Sequence, residues 1–433
     1  MKLNKLYIAI LLFAGILTSC KVGKSYVRPE LHLPDSLAQH QDTVSFGDQD
    51  WEEIYTDSTL RSLIDRALDH NKDMLIAAAR IKEMAAQKRI STAALLPDIK
   101  GEVTVERELE NHGGDAFRKS DTFEAQFLVS WELDLWGNLR WARSASIAEY
   151  LQSIEAQRAL RMTIVAEVAQ AYYELVALDT ELNIVKQTLK AREEGVRLAR
   201  IRFEGGLTSE TSYRQAQVEL ARTATLVPDL ERKISLKEND IAFLAGEYPN
   251  RIARSRLLQE FNFPETLPVG RVGVAYTNMF PRLALTGGFG SESTSLSELL
   301  KSPYAVMEGA LLTPIFGWGK NRAALKGKKA AYEAEIHSYE KTVLTAFKET
   351  RNAIVNFNKI KEVYALRANL ERSAKSYMDL AQLQYINGVI NYLDVLDAQR
   401  GYFDAQIGLS NAIRDELITV VQLYKALGGG WKQ

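Results

Sequence analysis

Between positions 136 and 203, apolar side chains recur in two tracks with a seven-residue period. One track is Val168, Leu175, Leu182, Leu189, Val196 and Phe203; the other is Ile164, Ala171, Leu178, Val185, Arg192 and Ala199. The tracks are offset by four and then three positions, the spacing of a coiled-coil seam. Arg192 alone breaks the pattern. At ~1.5 Å per residue, a helix over 136–203 would be on the order of 100 Å long, far beyond the ~8–20 residues of an ordinary globular helix. The run stops at Glu204-Gly205-Gly206 and helical periodicity resumes near Thr208, so the pattern predicts a very long helical hairpin.

The hairpin occurs twice. A shift of 182 positions carries Gly137 onto Gly319, Gly206 onto Gly388, Ala216-Gln217 onto Ala398-Gln399, and Gly246 onto Gly428. One ungapped offset over about 110 residues marks an internal duplication. The landmark glycines fall at expected element ends, where a helix stop needs them.

Ahead of each hairpin the period changes to two. Phe123, Ala125, Phe127, Val129, Trp131, Leu133 and Leu135 alternate with Glu124, Gln126, Leu128, Ser130, Glu132 and Asp134. Strands are predicted over 98–110 and 122–135, and in the second copy over 281–291 and 305–316, with polar loops at 111–120 and 291–301. Such strands suit half of a soluble sheet, or a transmembrane barrel with its apolar face toward lipid and its polar face toward a water-filled lumen. Four strands per chain cannot close a barrel, and an open edge in lipid leaves backbone groups unsatisfied. Transmembrane strands would therefore require oligomerisation, and three copies would supply twelve.

The amino terminus, together with the long hairpins, tips the choice toward the barrel. Lys2 and Lys5 precede an apolar stretch of about a dozen residues that ends in Leu17-Thr18-Ser19-Cys20, too short to span a bilayer. This is similar to the lipobox of bacterial lipoproteins, and Cys20 is the chain's only cysteine. Residues 1–19 are thus expected to be a signal peptide, and Cys20 the lipidation site. A Pro-containing leader is expected over 20–56, and a first helix over 57–90, capped by Asp57-Ser58-Thr59 and striped by Leu60, Leu63, Ile64, Ala67 and Leu68. The first repeat is assigned to 57–250, with its β-hairpin at 98–135 and helical hairpin at 136–246; the second to 251–431, with hairpins at 281–316 and 317–427.

Composition excludes more than it suggests. The formal net charge of -1 and the mixed signs along the helices lack the basic footprint of a nucleic-acid binder. The five histidines, His32, His40, His70, His112 and His337, show no ligand spacing, and no nucleophile elbow or phosphate loop is present, so no metal, cofactor or enzymatic activity is expected. Gly428-Gly429-Gly430 follows a helix instead of opening one.

Taken together, the motifs resemble those of TolC-like outer membrane factors, and most closely the lipoprotein branch that serves multidrug (RND-type) efflux. The resemblance rests on Cys20 with Tyr26-Val27-Arg28-Pro29, on 131–137 (WELDLWG), on 280–287 (FPRLALTG), on 392–400 (YLDVLDAQR) and on 423–431 (LYKALGGGW). It implies a mostly α fold with a transmembrane β-barrel part, in which the duplicated unit of two strands and a long helical hairpin builds a trimeric channel-tunnel. It also implies a lipid-anchored homotrimer in the outer membrane, extending into the periplasm to meet an adaptor protein and an inner-membrane efflux pump. Asp394 and Asp397 match the family's periplasmic gate, with Leu393 beside them as an apolar ring. The first-copy positions are Ser212 and Gln215. Gly206, Leu207, Thr208, Gly388 and Val389 match the adaptor-docking tips. One departure stands out: the short helix expected before the second pair of strands is missing, and a Pro-containing linker follows Gly246. The rival reading, a periplasmic coiled-coil lipoprotein scaffold, has no use for four amphipathic strands.

Overall fold

A computed structural model describes residues 49–110, 118–254, 282–312 and 318–429. Cys20 and residues 1–48 lie outside them, as does 255–281. The described chain forms two compact units that cut across the repeats: 79–154 with 282–341, and 49–78 with 155–254 and 342–429.

The first unit contains every described strand: β1 (Asp98–Glu110), β2 (Arg118–Leu133), β3 (Arg282–Ser293) and β4 (Pro303–Leu312). They form one antiparallel sheet in the order β1-β2-β3-β4, so β2 of the first copy pairs directly with β3 of the second. The register places Ile99 opposite Val129, Val103 opposite Ala125, and Phe127 opposite Phe289, all on one face. Among the described residues nothing covers that face: Ile99, Val103, Val105, Phe127, Phe289 and Met307 are exposed. The other face carries Glu102, Glu106, Glu124, Glu292 and Glu308. A soluble sheet would bury the apolar side; this one presents it outward.

β2 ends two residues earlier than its alternation predicts, because Asp134 turns to the next helix. Its carboxylate accepts from the Leu139 and Arg140 amides at 2.9 and 3.0 Å and from Arg140 Nε at 3.0 Å. That carboxylate sits at the positive end of the long helix, where orphan amides need an acceptor.

Seven α-helices are described: α1 (Trp51–Ile54), α2 (Ser58–His70), α3 (Lys72–Ala93), α4 (Asn138–Glu204), α5 (Glu210–Leu244), α6 (Trp318–Ile386) and α7 (Tyr392–Ala426). The single helix expected over 57–90 is two. Asn71 breaks it: its side chain accepts from the Asp73 and Met74 amides at 2.9 and 3.2 Å, restarting the helix, and donates to Leu244 O at 2.8 Å. Asp57 caps α2 through the Thr59 and Leu60 amides. The stripe Leu60, Leu63, Ile64 and Ala67 is buried in a cluster with Val168, Tyr172 and Leu175 of α4. Both seven-residue tracks of α4 are buried or half-buried, Arg192 included.

A close backbone approach lies at the end of α5. Gly246 has φ +72°, and a Cβ there would lie 2.1 Å from His70 O. Gly246→Ala combines the left-handed conformation, which costs an L-residue about 1–2 kcal/mol, with a backbone clash. We expect it to lower the thermal unfolding temperature markedly, by circular dichroism, whereas Gly206→Ala, in open space, should show only the conformational part.

Candidate functional site

The helical hairpins turn by the same chemistry in both copies. At the first, Gly206 N donates to Phe203 O at 2.9 Å and Leu207 N to Arg202 O at 2.7 Å; at the second, Gly388 N donates to Tyr385 O at 3.0 Å and Val389 N to Gln384 O at 2.9 Å. With φ of 67° and 75° at the glycines, these are Schellman stops. Each leaves an apolar side chain at its apex, Leu207 at 72 % and Val389 at 69 % exposure, with Thr208 half-buried beside the first.

The return helices begin alike and then diverge. Ser209 caps α5 and Asn391 caps α7. In α7 the cap is reciprocal: Asn391 Oδ1 accepts from the Asp394 amide at 3.1 Å, and the Asp394 carboxylate accepts from the Asn391 amide at 3.2 Å. Asp394 therefore has a structural partner as well as a charge, and its orientation is fixed by its own helix start. Asp397 follows one turn later and is exposed, as is Leu393. All three predicted gate residues thus lie on the first two turns of one helix, with their edges open to water. Cys20 lies outside the described residues.

Next to them sits a group that sequence reasoning reached only as an anomaly. Arg192 of α4 and Glu219 of α5 are 7 % and 2 % exposed. Arg192 Nη1 donates to Glu219 Oε2 at 2.8 Å and to Glu219 O at 2.9 Å. Glu219 Oε1 also accepts from Arg400 of α7 at 2.7 Å and from Arg222 at 3.2 Å. One carboxylate thereby joins both helices of the first hairpin to the return helix of the second, three residues beyond Asp397. Burial pushes the Glu219 carboxyl up, but the Arg400 hydrogen bond and the charges of Arg192, Arg400 and Arg222 outweigh it and hold it below the usual range.

An aromatic contact supports the same junction. Arg202 lies over the Tyr385 ring at 4.6 Å, and Tyr385 packs on Tyr392 at 5.3 Å. The Tyr392 hydroxyl approaches Gly195, where a Cβ would meet it at 2.9 Å, and burial pushes its pKa up to about 12. Ala199, Ala216, Val395 and Leu396 complete the cluster. The break at Arg192 in the heptad was the available signal; the partner Glu219, on another helix, carried none.

Comparison with known proteins places these features. The Outer membrane efflux protein family matches the chain twice, over residues 63–247 and 252–429. Outer membrane protein OprJ of Pseudomonas aeruginosa is 31 % identical over 466 aligned positions, covering 98 % of this chain and 96 % of that protein. The cation efflux system protein CusC of Escherichia coli is 25 % identical, covering 96 % and 97 %. The structure of the outer-membrane channel OprN superposes with a TM-score of 0.85 at 25 % identity, covering 95 % of this chain and all of that one. The OprJ alignment has more positions (466) than this chain has residues (433), so OprJ has residues at positions where this chain has none.

Removing the shared carboxylate strands a buried cation, so Glu219→Ala should destabilise by on the order of 3 kcal/mol, while Arg222→Ala, whose side chain is largely exposed, should change little. Because the folded pKa of Glu219 is depressed, its contribution is complete above the unfolded carboxylate value and is lost as pH falls through the folded value. Unfolding midpoints measured from neutral to acid pH should therefore fall less steeply in Glu219→Gln than in the parent protein.

Proposed function

This chain belongs to the outer membrane efflux protein family and is an outer-membrane channel of the efflux type; we propose that it works as a homotrimer, gated by the start of α7 and docked through its hairpin tips. The observation that carries the trimer is the sheet. Among the described residues it has two free edges, at β1 and β4, and a bare apolar face. In hydrocarbon every edge amide and carbonyl needs a partner, and three such sheets would give a closed twelve-stranded barrel. The carboxylates of the opposite face would then line the lumen. A scaffold without a channel would have no reason to keep this face uncovered.

The gate reading rests on the first turns of α7. In a trimer Asp394 and Asp397 would bring six carboxylates around one axis, favouring cations. The Arg192–Glu219–Arg400 group fixes the helix that carries them to the first hairpin. The exposed Leu207 and Val389, on turns held by backbone hydrogen bonds, suit a periplasmic adaptor that grips apolar points on a rigid element. With no nucleotide site of its own in the sequence, the channel would take its substrates and its driving force from an inner-membrane pump. Cys20 would add an acyl anchor in the outer membrane, and acyl chains contribute ~0.8 kcal/mol per buried CH₂.

Chemical cross-linking in outer-membrane fractions should yield a trimer; a monomer that needs no detergent would end the barrel reading. Cys20→Ser should loosen membrane anchoring while leaving assembled trimer. In planar bilayers, Asp394→Ala with Asp397→Ala should raise conductance and reduce cation preference, and trivalent cations should block the parent more strongly. Ser212→Ala with Gln215→Ala, the first-copy positions, is the control. Unchanged conductance and selectivity in the aspartate double variant would place those side chains outside the pore.

A further inference from the structure

One arginine serves the ends of both outgoing helices. At its own turn Arg202 contributes backbone, its carbonyl accepting from the Leu207 amide at 2.7 Å. At the other turn it contributes its side chain. Arg202 Nη1 donates to Tyr385 O at 3.4 Å, and the same carbonyl accepts from the Gly388 amide at 3.0 Å, one of the bonds that close the second turn. The guanidinium also lies over the Tyr385 ring. All of these residues belong to one compact unit.

The helix ends explain why the second hairpin takes a cation from the first. The last carbonyls of a helix carry partial negative charge, and a cation beside them is favourable. The last turn of α4 holds Arg202, whereas the last turn of α6 holds no basic residue. The position 182 residues beyond Arg202 is Gln384, an amide where the first copy has a charge. Packing beneath the turns fixes the arrangement. Tyr385 and Tyr392 are buried against each other, in a cluster with Ala199 of α4, Ala216 of α5, and Val395 and Leu396 of α7, so all four hairpin helices meet there. Leu207 follows Arg202 by five residues, and Val389 follows Tyr385 by four.

We infer that Arg202 is a positioning residue for adaptor docking: by tying the end of α4 to the end of α6 it sets the spacing of Leu207 and Val389, and the two turns of a protomer form one two-point surface. This rests on the reading of those turns as the docking tips. An adaptor that grips both turns meets the second at an effective concentration set by the first, and that advantage is lost when the two points move independently. Arginine suits the role because its planar group stacks on a ring while its N–H groups reach a carbonyl, which a lysine does less well.

The test uses the assembled full-length protein and an adaptor that, with its pump, lets the parent chain confer resistance to ethidium. Arg202→Gln, which installs the second-copy residue, should weaken adaptor binding about tenfold while leaving the trimer intact. Arg202→Lys, which returns a cation to the end of α6, should recover part of that loss. Tyr385→Leu, which removes the ring from the other hairpin, should weaken binding in the same direction. Parent-like affinity in Arg202→Gln would overturn the inference, and so would raised conductance of that variant with adaptor binding unchanged, since the link would then hold the pore and not the tips. No recovery by lysine would also overturn it, because the loss would come from disturbed packing and not from the cation. Leu207→Asp with Val389→Asp separates the two readings. If that variant loses adaptor binding while Arg202→Gln keeps it, only the positioning role fails; if it binds as the parent does, the docking reading itself fails.

Discussion

Among the described residues the edges of β1 and β4 are unpaired, and those edges govern what this protein can be. A four-stranded antiparallel sheet satisfies its interior backbone groups and leaves two rows of donors and acceptors open. In water those rows are solvated. Beside an apolar face made for hydrocarbon they have no such recourse. In the trimer proposed above, that pairing would be finished by further copies of the chain, and the channel would be a property of the assembly. That β2 pairs with β3 shows the same demand being met inside the chain, where the two repeats contribute adjacent strands to one sheet.

Duplication supplied two copies of a helical hairpin, and the divergence between them is chemical. Both hairpins stop at a left-handed glycine and restart at a capped helix, because those needs are dictated by backbone geometry and cannot drift far. The charged groups have no such constraint. Arg192, Glu219 and Arg400 correspond to Ala374, Gly401 and Val218 in the other copy, so the buried ion group exists once per chain. The acidic pair on α7 is likewise confined to the second hairpin. One hairpin can thus hold the other without being held in the same way, an asymmetry that an unmodified repeat would lack.

The buried ion group also shows why a break in a pattern can be informative. A guanidinium at a seam position is unfavourable alone and tolerable only with a carboxylate aimed at it. Glu219 meets three arginines, and its depressed titration follows from that arrangement in spite of burial. The cluster ties three helices together, because Glu219 accepts from Arg192 of α4, Arg222 of α5 and Arg400 of α7.

What the sequence determined alone was whatever repeats locally. The 3.5-residue period marked the long helices, the two-residue period marked the strands, and the 182-position offset marked the duplication, since each expresses a backbone geometry that neighbouring residues share. The overall architecture and the family followed from these together with short motifs. Boundaries were less legible: Asn71 splits a helix and Asp134 shortens a strand through side-chain hydrogen bonds that periodicity does not record. Tertiary structure alone decided which partner Arg192 would find, that Asp394 spends part of its bonding on its own cap, and that one face of α4 is buried while its counterpart on α6 is exposed among the described residues. Those outcomes join residues on different helices or compare their surroundings, and pair energies between distant positions leave no period along the chain.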